Sequence, residues 1–514
     1  MIGLVLAAMS ALASPGPPTA PGYEALVATG LAHGREARFA EAAAALDRAI
    51  ALEPSRPEAW VERGGLRFLE RRYDDAARDL AHAVALREDA YARDLLASAL
   101  FLAGRPDAAL ASWNALGGPT LGRLTITGLE HTKDRVARRE LALVEGEVIR
   151  LDALRASRRG LEETGVFGPV TLRPVPLGDG RADLEVALGE QHGLAGSLVD
   201  GLVTTGMNAL QERVRVRYAN VLGTGVTLGG SYRWAENRPE AAVLFQAPRP
   251  FDLPVYLRVQ AFQGRQAYAL DDALGSRRRG FDVSLRHVLD GRTVVQAGYR
   301  LRDRAFSNPR PDAPAGVIAG LEARVERRLA EGHRDRLDVA ASVFQAARAF
   351  GSDLAFGKAG VELAYRRHLT LPQQARIEPS VLAARLRFGW NSAETPVDEM
   401  FAPGGSPDME LPLRARRQAP GGVLGATPLG RSLVLGNLEW RRRLVGSGPL
   451  QLGAVLFYDG AWVGRTVSGG DGVFHDVGAG LRIALPGSGI VRIDFGHGLA
   501  DGKNAIFIGL DQVF

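Results

Sequence analysis

Three arginines, Arg414, Arg416 and Arg417, crowd a stretch, residues 401–444, that is otherwise rich in glycine and proline. Guanidinium groups stay charged at physiological pH and enter a dry interior only with carboxylate partners. Downstream, the run Phe457-Tyr458-Asp459-Gly460 offers Asp459 as a partner for Arg414. Gly404 and Gly405, ahead of the arginines, permit backbone turns that a side chain would forbid. The chemistry this set offers is a fixed ion pair that pins a long loop.

Residues suited to catalysis are not gathered anywhere in the sequence. The nine histidines are scattered without metal-ligand spacing. Cysteine is absent, which excludes disulfides, thiolate zinc sites and a lipid-anchored N-terminal cysteine. There is no Gly-x-Ser-x-Gly elbow and no Walker-type phosphate loop. Asp74-Asp75 and Asp271-Asp272 read as solvated helix-start or turn residues, and Asp511 as part of a polar wall on the last strand. The expectation is a protein that is not an enzyme, with no catalytic residue, cofactor or metal.

At 514 residues the chain exceeds one ordinary domain. Its 62 glycines suit a turn-rich β protein. Basic and acidic residues number 63 and 58, and arginine is spread along the whole chain. Nucleic-acid binding calls for a concentrated basic patch with stacking aromatics, so no nucleic-acid partner is expected. Residues 1–13 form a short apolar run ending in Ala11-Leu12-Ala13, the small-x-small pattern of a secretory signal, although without a basic n-region. A signal peptide and linker are therefore assigned to 1–20. No later run is apolar enough for a transmembrane helix, which leaves an exported soluble protein or a membrane barrel.

Three regions follow. From 21 to 117 the chain is helical and self-similar: Phe39, Ala42, Ala43 and Ala49 recur as Tyr73, Ala76, Ala77 and Ala83, the tetratricopeptide period. Trp60, Gly64 and Pro54 fall at the aromatic, small and terminator positions of that repeat. A degenerate third copy carries Ala108 and Ala109. Such an α-solenoid binds partner proteins in its concave groove or serves as a helical spacer. From 118 to 192 the pattern reads βααββ, with a strand at 121–128, helices at 133–143 and 151–164, and a hairpin over 170–188 turning at Gly178-Asp179-Gly180. From 193 to 514 alternating strands, about sixteen, succeed one another. An even number of strands closed on itself satisfies every backbone group in lipid. Arg-rich strands such as Glu439-Trp440-Arg441-Arg442-Arg443 suit a wet lumen or a headgroup zone.

Several of these stretches resemble the BamA/TamA outer-membrane assembly superfamily. The βααββ unit, with Leu161-Glu162-Glu163-Thr164-Gly165-Val166-Phe167 at its helix–strand junction, resembles a POTRA domain. Leu413-Arg414-Ala415-Arg416 is similar to the family's Val/Leu-Arg-Gly-aromatic loop motif, with Ala415 in place of the glycine and Arg416 in place of the aromatic. Residues 218–225 (YANVLGTG) resemble its early hairpin, and 476–482 (DVGAGLR) with 491–496 (VRIDFG) its late strand pair. The C-terminal run places Ile506, Ile508, Leu510 and Phe514 on one apolar face, similar to a barrel assembly signal.

The resemblance implies a multidomain protein: a tetratricopeptide α-solenoid, a POTRA-like domain and a 16-stranded antiparallel transmembrane β-barrel. It implies that Arg414 lies in the lumen against Asp459. It also implies a weak seam between a first strand near 194–204 and a last near 505–514, on which clients template their strands. The protein then sits in the bacterial outer membrane with its N-terminal domains in the periplasm. Its partners are unfolded outer-membrane or secreted protein clients, the lipid bilayer, and periplasmic accessory proteins met through the tetratricopeptide array. The work implied is insertion or translocation of protein substrates. A dedicated two-partner secretion pore and a polysaccharide-export porin are the alternatives.

Overall fold

A computed structural model describes residues 21–194, 198–270, 274–332, 334–370, 376–405, 410–446, 448, 450–467, 469–485 and 489–514. The expected signal segment and Asp271-Asp272 lie outside the described residues.

Six helices open the chain: α1 (Tyr23–Arg35), α2 (Phe39–Leu52), α3 (Pro57–Leu69), α4 (Tyr73–Leu86), α5 (Ala90–Leu102) and α6 (Pro106–Ala115). Proline sits at the first turn of α3 and α6, where its missing N–H costs nothing. The repeat period has a steric cause. A Cβ on Gly30 would lie 2.7 Å from Leu46 Cγ, and one on Gly64 2.7 Å from Leu80 Cγ. Each glycine lets the leucine of the next helix seat against bare backbone. Ala42 and Ala76, whose carbonyls face these glycines, are fully buried, as is Ala49. Asp79, also buried, is held by Arg63 at 2.8 Å and Arg67 at 2.6 Å.

The βααββ unit follows: β1 (Thr120–Thr127), α7 (Asp134–Arg138), α8 (Leu151–Glu163), β2 (Phe167–Pro176) and β3 (Arg181–Glu190). The sheet order is β1-β3-β2. The expected first helix, 133–143, shortens to the five residues of α7.

Next come α9 (Leu198–Leu210), β4 (Arg213–Tyr218), β5 (Thr227–Arg233), β6 (Glu240–Pro248), β7 (Tyr256–Tyr268), β8 (Leu274–Val288), β9 (Thr293–Phe306), β10 (Gly316–Glu331), β11 (Asp335–Ala346), β12 (Phe356–His368) and β13 (Ser380–Asn391). After a long loop that contains β14 (Val423–Leu424), the chain ends with β15 (Gly430–Val445), β16 (Gln451–Thr466), β17 (Gly472–Ala484), β18 (Ile490–Gly498) and β19 (Asn504–Leu510). These strands form one 16-stranded sheet. It is an antiparallel meander from β4 to β19, with β14 attached in parallel to β7. Alternation divides each strand between two environments. On β15, Leu433, Leu435, Asn437, Glu439 and Arg441 are buried on the inner face, whereas Leu438 and Trp440 are exposed on the outer face. Large apolar side chains on an exposed outer face belong against lipid. Among the described residues no helix is long and apolar enough to cross a membrane.

The end strands β4 and β19 are not paired with each other among the described residues. The expected first strand over 194–204 is replaced by a helix from 198 to 210, and residues 195–197 lie outside the described residues. Apolar residues at 199, 202, 203, 207 and 210 recur at three- and four-residue intervals, which serves a helix as well as alternation would serve a strand. Just before this segment, Gly193 forms a β-bridge with Ala219.

Candidate functional site in the barrel lumen

Between β13 and β15 the loop folds back over the inner faces of the last strands. Gly404 supplies both a backbone conformation rare for other residues, φ +156, and room, whereas Gly405 supplies room. A Cβ on Gly404 would meet Gln418 Cα at 2.7 Å, and one on Gly405 would meet Phe507 Cζ at 2.1 Å. Gly405 forms a parallel bridge with Arg417, and its N–H is shared between the carbonyls of Leu413, at 3.1 Å, and Arg416, at 2.8 Å. On the strand side, a Cβ on Gly496 would strike the Arg414 carbonyl at 1.9 Å. The loop backbone therefore lies directly on β18.

This contact delivers Arg414 into a fully buried position. Its Nε and Nη2 each stand 2.8 Å from an oxygen of Asp459, and its backbone N–H reaches the same carboxylate at 3.1 Å. Its Nη1 donates to Glu439 and lies 3.8 Å from Asp494. The guanidinium is stacked 3.5 Å above the Phe457 ring, a favourable arrangement for a desolvated cation. Burial favours the neutral form of Arg414, and the carboxylates of Asp459, Glu439 and Asp494 outweigh it, so the group is held more firmly charged than usual.

Arg416 forms a second centre. It contacts Asp476 at 2.5 Å and Asp501 at 2.8 Å, and lies 4.6 Å above the Phe474 ring. The Ala415 N–H between the two arginines also donates to Asp476, at 2.8 Å. Asp494 is further paired with Arg482 at 2.7 Å and Arg492 at 3.4 Å, and Glu439 with Arg441 at 2.7 Å. The sequence pairs Arg414 with Asp459, marks Arg416 as a cation in need of a carboxylate and assigns the Glu439–Arg443 strand to a wet lumen or headgroup zone, but does not pair Arg416 with Asp476 and Asp501 or bring Glu439 and Asp494 to Arg414. Asp476, Arg482, Arg492 and Asp494 stood inside the quoted late-strand motifs, where their charges were the unread signal. The aromatic that the loop motif lacks at Arg416 is supplied from below, by Phe474.

The C-terminal residues divide differently from expectation. Ile506 and Ile508 are exposed on the outer face, and Leu510 ends β19. Asp511 has φ +58 and turns the chain away from the strand, so it is an exposed turn residue and no part of a lumen wall. Phe514 consequently leaves the outer apolar face. Its ring lies beneath Arg385 and Arg441, at 5.0 and 5.2 Å, on the inner side.

A polar latch joins the βααββ unit to the first hairpin of the sheet. Asn220 is fully buried with φ +60. Its Nδ2 donates to Thr132 at 2.6 Å and to Glu190 at 2.9 Å, while its Oδ1 accepts from Gly225 N–H at 2.9 Å. Glu190 also accepts from the N–H groups of Glu130 and His131, at 2.8 and 2.9 Å, and from the Thr132 hydroxyl. Nearby, buried Glu140 binds the Tyr256 hydroxyl and Arg249, the latter at 2.9 Å. Glu163 binds Arg286 at 3.0 Å.

An arginine carried on an inward-folded loop and clamped to a strand aspartate accompanies direct sequence matches. Residues 220–507 match the Omp85 superfamily domain, and residues 119–190 match POTRA, the surface antigen variable number repeat. The chain belongs to the Omp85 superfamily. Two solved structures share the fold of this chain. CdiB from Escherichia coli aligns with TM-score 0.56 and 13% identity over 76% of each chain. CdiB from Acinetobacter baumannii aligns with TM-score 0.50 and 12% identity over 86% of this chain and 85% of that one. BamA from Haemophilus ducreyi lacking POTRA domains 1–3 matches with TM-score 0.44 and 15% identity, over 76% and 83%. A search of curated sequences returns no significant match. As an Omp85 protein the chain is an outer-membrane β-barrel protein of the transport and insertion class, with a POTRA domain behind a helical array.

Proposed function

We propose that this protein inserts or translocates protein substrates at the outer membrane, with its N-terminal domains in the periplasm and the β4–β19 seam as the working edge. The observation that carries the reading is the seam itself. Among the described residues both end strands have an unpaired edge, and the segment beside β4 is a helix with long side-chain hydrogen bonds to the seam. Asn208 donates to the Arg215 carbonyl at 3.4 Å, and Gln211, just past α9, to the Ile508 carbonyl at 3.5 Å. Unpaired strand edges recruit further strands, and a client strand added to β4 would compete with α9. The Arg414–Asp459 clamp pins the loop over the inner face while this happens. The POTRA domain captures clients by strand addition, and the tetratricopeptide array meets accessory proteins.

A dedicated two-partner secretion pore is the second reading, favoured by the single βααββ unit among the described residues. Conditional depletion followed by quantification of the outer-membrane proteome and surface polysaccharide separates the readings. Loss of many unrelated barrels is the result expected of general insertion. Loss of one exported protein selects the dedicated pore. Loss of polysaccharide with barrels intact would overturn both and favour an export porin.

A further inference from the structure

The outer face of β7 and β8 carries an arrangement that neither the lumen cluster nor the seam uses. Arg265 and Arg277 are directly opposite each other in the β7–β8 register. Both are exposed, and among the described residues neither side chain has a hydrogen bond or ion pair. Like charges placed directly opposite on adjacent strands repel, so this pair carries a standing cost unless an anion lies between the two guanidiniums. One turn of the alternation further along, Arg279 is held by Asp303 at 2.9 Å and joins the same outward row.

The height of this row sets its chemistry. The periplasmic end of β7 is marked by Tyr256, which binds Glu140 of the POTRA domain. Arg265 lies nine residues further along the same strand, roughly 30 Å at ~3.3 Å per residue. With the strand tilt typical of barrels, that distance matches the apolar band of about 25 Å. The arginines therefore stand at the opposite membrane–water boundary, where lipid headgroups are. Directly below them on the outer face lies an apolar depression of about 900 Å³, lined by Val216, Tyr232, Val243, Phe281 and Leu301. A cationic row above an apolar trough has the two parts of one amphiphile: charge-assisted, forked hydrogen bonds for a phosphate and a surface for acyl chain.

We propose that this face is a binding site for a phosphate-bearing lipid, its phosphate bridging Arg265 and Arg277 and its acyl chain lying over Phe281 and Val243. Its arginines, on β7 and β8, stand apart from the lumen loop and from the end strands, and β4 enters through Val216 in the wall of the trough.

The test is native mass spectrometry of the whole chain released from detergent, titrated with phosphatidic acid, with the diacylglycerol of identical chains, and with inorganic phosphate. Retention of phosphatidic acid at least tenfold above diacylglycerol is expected. It should fall to the diacylglycerol level in Arg265→Ser/Arg277→Ser and persist in Arg265→Lys/Arg277→Lys. Heat-modifiable gel migration establishes that each variant is folded, and the lysine variant keeps the test valid if the serine variant does not fold. Equal retention of the two lipids, or undiminished phosphatidic acid retention in the folded serine variant, would overturn the proposal. So would displacement of phosphatidic acid by equimolar inorganic phosphate, which would mark a simple anion site.

Discussion

Arg414 and Asp459 lie 45 residues apart in sequence and meet as a bidentate, fully buried pair, with Nε and Nη2 each 2.8 Å from a carboxylate oxygen. Removing one member leaves the other charged and dry, a loss of roughly 3–5 kcal/mol for a buried pair. Arg414→Met and Asp459→Asn should each destabilise the barrel strongly, and the double variant should cost clearly less than their sum. Denaturant titration of heat-modifiable gel migration measures all three. Because Glu439 also depends on Arg414, the double variant should remain less stable than the parent. Strict additivity would show that the pair is not coupled.

Gly405 is pressed against the Phe507 ring at a distance that excludes any side chain. Gly405→Ala should therefore displace either the loop or β19, at a cost of about 1–3 kcal/mol for overpacking. Phe507→Ala in the same background should restore loop protection against proteolysis. Failure of that rescue would place the clash elsewhere.

Asn220 and Glu190 form the latch between the POTRA domain and the first hairpin of the sheet. Asn220→Ala leaves buried donors and acceptors unmatched, at about 1–3 kcal/mol, and should raise hydrogen exchange at 130–132. Burial pushes the Glu190 carboxyl up, but hydrogen bonds from the Thr132 hydroxyl and the backbone N–H groups of His131 and Glu130 outweigh it and hold the group below its ordinary value of 4.5. A depressed carboxyl stabilises the folded form above its ordinary value, and that contribution is lost as pH falls through the folded value. The latch should thus be intact at neutral pH and loosen only in acid below about 4.5. Glu190→Gln should abolish that acid step in exchange measurements.

Gly206 sits within α9 with open space where a Cβ would go. Gly206→Ala should strengthen the helix by about 1 kcal/mol. If α9 must leave the seam for a client strand to enter, this variant should slow client assembly or export without lowering barrel stability. An unchanged rate in a client-delivery assay would show that α9 does not compete with clients. Cross-linking Gln211→Cys to Ile508→Cys, in a chain that has no native cysteine, should stop client handling until the linker is cleaved.

Much of this architecture is local and could be read directly. The recurrence of small residues in the helical array follows from glycine–leucine contacts between neighbouring helices, so the period survives in the sequence. Strand alternation and the βααββ order are likewise near-neighbour properties. Arg414 was legible because a lone cationic loop motif demands a carboxylate, and Asp459 was the one aligned with the resemblance. What tertiary structure decided were choices that the local pattern left even. Segment 198–210 satisfies helical spacing as well as a weak strand, and in the fold it is a helix lying beside β4. Phe514 looked like an outward strand residue, yet the turn at Asp511 and two inner arginines carry it inside. Arg416 looked like the loss of an aromatic, and only the fold shows Phe474 beneath it and Asp476 beside it. Each case turns on partners distant in sequence. Hydrophobic periodicity specifies which face of an element is apolar, whereas ion-pair identity and edge pairing are fixed only when remote strands come within a few ångströms.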